Sequence, residues 1–320
     1  MKRVLVTGGA GFIGSHLVDQ LMGEGCRVTV VDNFDPFYDI AAKERNVVRH
    51  LKTPNYQLIR TDICDFESLK KSLSGEYDVI VHLAAKAGVR PSILAPQSYQ
   101  AVNVQGTQNL LELAKEWNVK QFVFASSSSV YGVNPNVPWR EEDQVLLPIS
   151  PYAATKVAGE LLGHVYRHLY GMRFIGLRFF TVYGPRQRPD LAIHKFAHLM
   201  VHGAPIKVYG DGTTMRDYTY IDDIISGIRA AMEYQQSNYE IFNLGNSQTV
   251  SLNELIGILE EMLKVRATIE RLPEQPGDVP RTYASVEKAV KLLDYKPNTT
   301  IRGGIQKFIQ WMETETWSKT

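Results

Sequence analysis

Five short apolar runs in the first 130 residues constrain the fold of this chain more than any other feature. The runs are continuous and rich in Val and Ile, and they cover 3–8 (RVLVTG), 27–32 (RVTVVD), 56–62 (YQLIRTD), 77–85 (YDVIVHLAA) and 121–129 (QFVFASSSS). Such runs are typical of parallel strands that are buried on both faces of a sheet. Segments with apolar residues at helical spacing separate them, which predicts repeated βαβ units with right-handed crossovers. We therefore expect an α/β fold built on a doubly wound parallel sheet of the Rossmann type.

The composition of the chain excludes several classes of function. Of its 320 residues, 44 % are hydrophobic, which is enough for a large core. The 35 Lys and Arg against 34 Asp and Glu leave a net charge of +1 without a basic block, so we expect no nucleic-acid partner. No apolar run approaches the ~20 residues of a membrane span. Two cysteines are too few for a disulfide framework or a Cys-rich metal site. We expect a cytoplasmic protein with neither a metal nor a membrane partner.

A glycine-rich turn joins the first predicted strand to the first predicted helix, in the stretch VLVTGGAGFIGSHL. Gly8, Gly11 and Gly14 form G-x-x-G-x-x-G, a spacing variant of the Rossmann fingerprint. Glycines there allow the backbone to approach a pyrophosphate at a helix N-terminus. Asp32 ends the second strand, where a carboxylate accepts hydrogen bonds from ribose hydroxyls. Because its charge would repel a 2′-phosphate, the pattern favours NAD over NADP.

Asp62 and Ile63 follow the third predicted strand and are candidate neighbours of an adenine ring. An Asp at the end of a strand is more often a turn or helix cap, and that interpretation of Asp62 stays open.

The stretch SPYAATKVAGE places Tyr152 and Lys156 four residues apart, on one face of a helix that Ser150 and Pro151 begin. A lysine ammonium close to a phenol lowers the pKa of the phenol, so that a tyrosinate can take a proton from an alcohol. Ser127 lies at the carboxyl end of a predicted parallel strand, where ligands bind in open α/β sheets. The three side chains together predict a site for alcohol oxidation.

The second half of the chain continues the alternation and then becomes rich in Pro and Gly. A helix is predicted over 151–170, and strands are predicted over 173–180 and 239–245. We predict a NAD-binding Rossmann domain over 1–178, with a returning segment near 219–246. A smaller domain over 179–320 is expected to bind mainly the substrate.

At this point the sequence resembles the extended short-chain dehydrogenase/reductases, and among them the nucleotide-sugar epimerases and dehydratases. The resemblance covers nearly the whole chain and depends on the motifs TGGAGFIG, HLAA, NVQGT, SSSSVYG, SPYAATK, YGP and GDGTTMRDYTYIDD. It implies a Ser127, Tyr152 and Lys156 triad, a tightly held NAD that is not consumed, and a UDP-sugar substrate. It also implies a homodimer that pairs through helices near 98–118 and 151–170.

The resemblance extends to individual contacts. Asn103 is expected near the nicotinamide, Arg216 near the substrate diphosphate and Asp278 near the uridine ribose. The full set of expected cofactor contacts is Gly8, Gly11, Phe12, Ile13, Gly14, Asp32, Asn33, Asp62, Ile63, Leu83, Ala84, Ala85, Asn103, Tyr152 and Lys156.

The residues around Ser127 indicate which reaction the family resemblance implies. Members of this family first oxidise the C4 hydroxyl of the sugar, and the dehydratases and decarboxylases carry an additional carboxylate at the end of that strand. Residues 126–132 read SSSSVYG and contain none. Without an acid or base there to remove the C5 proton, return of the hydrogen to a rotated 4-keto sugar remains, which is C4 epimerisation.

The stretches RFFTVYGP, RPD, HLAAKAGVRPS and DNFDPFYD look most like the UDP-glucuronate 4-epimerases. Oxidation of glucuronate at C4 gives a β-keto acid that tends to lose CO₂ when its carboxylate can rotate. We expect Arg188 and Thr181, with Ser128 and Ser129, to hold that carboxylate through charge-assisted hydrogen bonds, while Arg186 is more exposed.

Other interpretations of these residues stay open. Arg188 could instead be a surface residue or a diphosphate ligand, and Thr181 could cap the turn before YGP. Arg178 is expected in a structural ion pair, and His82 is expected to be a hydrogen-bonded core histidine.

Three alternative functions also stay open. The first is a 4-epimerase for UDP-glucose or UDP-N-acetylglucosamine, the second a dehydrogenase that releases NADH, and the third a non-catalytic NAD sensor, which the intact triad disfavours.

Overall fold

The computed structural model describes residues 1–143, 147–274 and 279–314. The strands in these residues are β1 (Arg3–Thr7), β2 (Arg27–Val31), β3 (Tyr56–Ile59), β4 (Val79–His82), β5 (Gln121–Ser127), β6 (Arg173–Phe179), β7 (Thr181–Tyr183), β8 (Ile206–Tyr209), β9 (Met215–Tyr220), β10 (Tyr239–Leu244), β11 (Thr249–Ser251) and β12 (Ile269–Leu272).

The helices are α1 (Phe12–Gly23), α2 (Ile40–Val48), α3 (Phe66–Ser72), α4 (Val89–Leu94), α5 (Pro96–Tyr99), α6 (Gly106–Glu116), α7 (Pro151–Tyr170), α8 (Ala192–Val201), α9 (Ile221–Glu233), α10 (Leu252–Leu263), α11 (Glu287–Leu293) and α12 (Ile301–Thr314). A π-helical segment (Gln100–Gln105) precedes α6, and a 3₁₀ turn (Ser128–Tyr131) follows β5. Of the helices in the described residues, none combines the length and the apolar composition that crossing a bilayer requires.

Seven of the described strands form one parallel sheet in the order β10, β6, β5, β4, β1, β2, β3. Every residue of β5 is buried, as the continuous apolar run predicts. The predicted α/β fold with a Rossmann-type sheet is confirmed. The chain order reverses between β1 and β4, and this reversal opens a crevice at the carboxyl ends of the strands.

Two predicted strands are markedly shorter in the structure, whereas the others differ by one or two residues at their ends. The strand expected over 56–62 ends at Ile59, and the one expected over 77–85 covers only Val79–His82. Thr61 and Asp62 after β3, and Leu83, Ala84 and Ala85 after β4, lie outside the sheet and line the crevice. The sequence pattern therefore overestimates strand length where the chain turns into a binding cleft.

Helix α7 forms over the predicted range because local signals at both ends agree. The Ser150 hydroxyl accepts a hydrogen bond from the Ala153 amide at 3.1 Å, Pro151 occupies the first turn, and Gly171 ends the helix in the left-handed conformation. Glycines face the sheet: a Cβ at Gly159 would lie 2.3 Å from the Phe124 ring. The close approach holds the first turns of α7 directly above the carboxyl end of β5.

The remaining strands form two small sheets, β11-β9-β7 and β12-β8. Asp217 on β9 joins three segments of this region, because its carboxylate accepts backbone hydrogen bonds from Asn246 (2.7 Å), Ser247 (3.1 Å) and Ala284 (3.1 Å). Burial raises the pKa of Asp217 to about 6. The expected domain boundary near residue 178 stays a prediction.

Candidate functional site

A cleft of about 630 Å³ lies at the carboxyl ends of the main-sheet strands, where the strand order reverses. Its lining includes most of the residues expected to bind cofactor or substrate: Gly8, Gly11, Phe12, Ile13, Gly14, Asp32, Asn33, Asp62, Ile63, Leu83, Ala84, Ala85, Ser127, Ser128, Ser129, Tyr152, Lys156, Thr181 and Arg188. Residues far apart in the sequence thus converge in one place.

The glycine turn has the geometry that close approach of a pyrophosphate requires. Gly8 has φ +73°, and a Cβ at Gly14 would lie 2.1 Å from the Gly8 carbonyl oxygen. Gly11 precedes α1 and offers no side-chain cap, so the first amides of the helix remain directed to the cleft. These amides and the helix dipole fit an anionic group, which is what the pyrophosphate of NAD would place there.

Asp32 lies at the other end of the cofactor region and is only 6 % exposed. Its two oxygens accept backbone hydrogen bonds from Phe34 (2.9 Å) and Ala10 (3.1 Å). Burial raises the pKa of Asp32, and the Lys43 ammonium at 3.9 Å lowers it. Each carboxylate oxygen keeps acceptor capacity for a ribose hydroxyl.

Lys43 is a cleft residue that no motif of the sequence indicates. Its ammonium donates to the Asp35 carbonyl oxygen at 2.9 Å and lies 5.0 Å from the centre of the Tyr38 ring. Other cleft residues include Asp35, Phe37 and Tyr38 from the stretch DNFDPFYD, Lys86 from HLAAKAGVRPS, and Tyr99 at the end of α5. Their positions depend on tertiary contacts.

Asp62 fits both interpretations that the sequence left open, a residue of the cofactor cleft and a cap of the turn after β3. It lines the cleft, and its carboxylate accepts hydrogen bonds from the Cys64 amide and the Asn33 side chain, each at 2.8 Å. The residue therefore caps the turn after β3 while presenting that turn to the cleft.

Asn103 does not line the cleft, in contrast to the expectation that it lies beside the nicotinamide. It is 2 % exposed, and its amide group donates to the Lys86 carbonyl oxygen (2.9 Å) and to the Thr155 hydroxyl (3.0 Å). Its oxygen accepts from the Lys86 amide at 2.8 Å. Protein groups therefore use both of its N–H donors, and Asn103 supports the loop after β4.

Ser127, Tyr152 and Lys156 meet at the junction of β5 and α7. The Ser127 hydroxyl lowers the pKa of Tyr152, and the Lys156 ammonium lies 5.8 Å from the centre of the Tyr152 ring. That ammonium donates to the Ala125 carbonyl oxygen at 2.7 Å. The spacing of four residues on one helix face places the phenol and the ammonium side by side, as expected.

The electrostatics of this group differ from the expectation. Burial raises the pKa of Tyr152, and the groups that lower it are the Ser127 hydroxyl and the Arg188 guanidinium rather than Lys156. Burial also lowers the pKa of Lys156 to about 7, with Glu160 opposing that effect. Desolvation of the buried ammonium disfavours the charged form of Lys156.

Arg188 lines the same cleft as the catalytic group, although it lies on a loop after β7. Its Nε and Nη2 donate to the two carboxylate oxygens of Asp190, at 2.9 and 2.7 Å. The guanidinium also lies 5.2 Å from the centre of the Phe37 ring. Nη1 remains directed away from Asp190, so the arginine keeps donors for a further anion. Thr181, at the start of β7, lines the cleft as well.

Arg186 is not more exposed than Arg188, which corrects the expectation. Both side chains are 18 % exposed, because Arg186 packs on α1 and pairs with Asp19 at 2.8 Å.

Arg178 is confirmed as an ion-pair residue, since it pairs with buried Glu160 at 2.8 Å. His82 is confirmed as a core histidine between the hydroxyls of Thr7 and Thr107, and burial lowers its pKa to about 3.

One expected substrate contact is not brought to the cleft, and another cannot be placed. Arg216 lies on β9, two residues before the position paired with Thr181, and does not line the cleft. Its guanidinium donates to the Met215 carbonyl oxygen at 2.9 Å. Asp278 lies outside the described residues. In the part of the chain that the structure describes, no group of His, Cys, Asp and Glu could hold a metal ion.

Comparison with known proteins gives a consistent result. The model of the NAD dependent epimerase/dehydratase family matches residues 4–245. The chain is 43 % identical to the UDP-glucuronate 4-epimerase of Thermodesulfobacterium geofontis over 315 residues, which cover 97 % of this chain and 96 % of that protein.

Solved structures of related enzymes have the same fold over nearly the whole chain. The UDP-glucuronic acid 4-epimerase of Bacillus cereus, in complex with UDP-glucuronic acid and NAD, matches with a TM-score of 0.90 at 37 % identity and covers 98 % of this chain and 99 % of that one. The UDP-glucose 4-epimerase of Thermotoga maritima matches with a TM-score of 0.89 at 31 % identity, with the same coverage. Together with the glycine turn and the Tyr152 and Lys156 pair in one cleft, these matches show that the chain belongs to the NAD-dependent epimerase/dehydratase family.

Proposed function

We propose that the chain is a UDP-glucuronate 4-epimerase that interconverts UDP-glucuronate and UDP-galacturonate. The observation that carries the proposal is the presence of Arg188 in the same cleft as Tyr152 and Ser127. A guanidinium beside the catalytic phenol provides a partner for an anionic sugar substituent, which a neutral hexose would not need. Relatives named as UDP-glucuronate 4-epimerases support the same substrate.

Proton transfer at the sugar C4 hydroxyl is the task of Tyr152. Bound NAD would take the hydrogen from C4 and later return it to the opposite face of the ring. The Ser127 hydroxyl and the Arg188 charge stabilise the tyrosinate, which burial alone would disfavour. Lys156 donates to the Ala125 carbonyl oxygen and lines the cleft together with the phenol.

The acidic residues that line the cleft among the described residues are all engaged. Asp32 and Asp62 hold backbone amides, and Asp35 pairs with Lys86 at 3.1 Å. None of them is therefore poised as a base for the C5 proton. Elimination is disfavoured, and rotation of the keto sugar followed by return of the hydrogen gives the C4 epimer.

The C6 carboxylate needs restraint during this step, because a β-keto acid loses CO₂ when its C5–C6 bond aligns with the carbonyl π system. Arg188 is suited to this restraint, since Asp190 and Phe37 fix two sides of the guanidinium. Thr181, Ser128 and Ser129 supply hydroxyls in the same cleft. We further propose that the region from 179 onward contributes the rest of the UDP-sugar site.

The first experiment is incubation of the purified protein with UDP-glucuronate and no added NAD, followed by proton NMR of the sugar. We expect UDP-galacturonate to accumulate and no UDP-pentose to form. Arg188→Met should release UDP-pentose, because the carboxylate would rotate freely, and Arg188→Lys should release less, because one charge remains.

The alternatives give different results in the same experiment. Conversion of UDP-glucose or UDP-N-acetylglucosamine, but not of UDP-glucuronate, would show a 4-epimerase with another substrate. Net formation of NADH would indicate a dehydrogenase.

We also propose that the chain forms a homodimer through α7. Leu161, Val165 and Leu169 recur every four residues on this helix and are 56, 44 and 60 % exposed, and Leu94 on neighbouring α4 is 88 % exposed. An apolar stripe of this kind is typical of a helix that pairs with a second copy. Light scattering should give twice the 36.1 kDa chain mass, and Leu161→Lys/Leu169→Lys should give monomers. A monomeric wild type would contradict the proposal.

A cytoplasmic location stays a prediction, which is supported by two cysteines that are both free.

A further inference from the structure

The loop that carries Arg188 is attached to the cofactor helix α1. Three residues before Arg188, the Pro185 carbonyl oxygen accepts a hydrogen bond from His16 Nε2 at 2.9 Å. The next residue, Arg186, reaches the following turn of α1, where its guanidinium pairs with Asp19 at 2.8 Å. The loop thus meets α1 at two consecutive residues.

A second contact fixes the direction of the Arg186 side chain. Its Nη1 also donates to the Ser15 hydroxyl at 3.1 Å, and Ser15 is 1 % exposed. The guanidinium therefore spans Ser15 and Asp19, which are four residues apart on one face of α1. A single flexible contact would leave the loop free to slide along the helix, whereas two contacts on adjacent turns define its position.

The backbone of Arg186 shows that its side-chain contacts offset a conformational penalty. Its φ is +62°, in the left-handed region where a residue with a Cβ is disfavoured and glycine is not. A loop that needed only this turn would be more stable with glycine. The residues that follow are held as well, since buried Gln187 donates to the Val182 carbonyl oxygen at 3.2 Å.

We propose that Arg186 is a positioning residue, which sets the Arg188 guanidinium relative to α1 and hence relative to the cofactor. The inference rests on the proposed function, in which Arg188 restrains the C6 carboxylate. Helix α1 begins at the glycine turn, so a loop fixed to α1 moves with the cofactor site. The Arg188 guanidinium, which restrains the carboxylate, then keeps a fixed position relative to the cofactor that oxidises C4.

Loss of this alignment has a specific chemical result. In the 4-keto intermediate the C5–C6 bond breaks, its electron pair forms an enolate over C4 and C5, and C6 leaves as CO₂. Water then protonates C5, and the hydrogen taken from C4 returns to give a UDP-pentose. These steps need no other reactant. Displacement of Arg188 is therefore sufficient to allow the decarboxylation.

The test compares Arg186→Met with a matched control, Arg49→Met. Arg49 pairs with the same oxygen of Asp19, but it approaches from α2 and its side chain is 49 % exposed. Both variants remove one arginine from Asp19, and only the first detaches the loop. Arg188→Met serves as the reference for full loss of the carboxylate partner.

The readout is the UDP-pentose share of the product by NMR, with bound NAD and the melting temperature measured on each variant. We expect Arg186→Met to raise the pentose share about tenfold over the wild-type background, as a displacement of less than about 1 Å at a reactive group allows. Arg49→Met should match the wild type. Arg186→Lys, which keeps the charge on a shorter side chain without the planar guanidinium, should lie between, and it decides the question if the Met variant does not fold.

The outcomes separate the inference from the proposed function. If Arg188→Met releases pentose while neither Arg186 variant exceeds Arg49→Met, the positioning role is wrong and the carboxylate restraint stands. If Arg188→Met releases none, the restraint itself is wrong and the positioning role falls with it.

Discussion

Replacing Tyr152 by Phe should lower the turnover of UDP-glucuronate by about 10²- to 10⁴-fold, the range in which a positioned acid or base contributes. The Ser127 hydroxyl and the Arg188 charge both lower the pKa of this phenol, which favours its role in proton transfer. NAD should remain bound, because the glycine turn and Asp32 are untouched. Turnover is measured by NMR, and cofactor content by the absorbance of NAD released on acid denaturation.

Tyr170→Phe is the matched control for that variant. It removes the same hydroxyl from the same helix, at a side chain that is 50 % exposed and far along α7 from the cleft. Its turnover should equal that of the wild type. Undiminished turnover in Tyr152→Phe would remove the proposed proton transfer altogether.

Replacing Arg178 by Met should destabilise the folded protein by about 3–5 kcal/mol, which is typical of breaking a buried ion pair from one side. Arg178 and Glu160 are 4 and 6 % exposed, and two hydrogen bonds of 2.9 and 2.8 Å join them. Met would leave the Glu160 charge buried with only the Ser126 hydroxyl, at 2.5 Å, as a hydrogen-bond donor. A fall of several degrees in the melting temperature is the expected result.

The double variant Glu160→Leu/Arg178→Met controls for lost packing. It removes both charges, so we expect it to melt at a higher temperature than Arg178→Met alone. Equal melting temperatures for wild type and Arg178→Met would show that the pair contributes no net stability.

Local features of the fold and of the catalytic group could be predicted from the sequence because short-range signals determine them. The start of α7 follows from Ser150 and Pro151, and the helix period then places Tyr152 beside Lys156. Ser127 follows from the end of an apolar run, because parallel strands end at a shared edge.

Features that depend on burial or on distant loops could not be predicted in this way. Lys43 enters the cleft only because the loop after β2 folds over Asp32. The lowered pKa of Lys156 depends on how deeply the ammonium is buried. Asn103 occupies the sequence position of an expected cofactor contact, yet Lys86 and Thr155 use both of its N–H donors.

Helix α7 leaves few of its positions open to sequence change. Its first turns face the cleft through Tyr152 and Lys156, and its inner face meets the sheet through Gly159 and Gly163, where a Cβ would lie 2.3 Å from a Phe ring. Its outer face carries the apolar stripe. Freedom to vary is therefore confined to a few exposed polar sites near its end, such as His168. A change that adapts this enzyme to a new substrate would have to arise in the loops around α7 rather than in the helix.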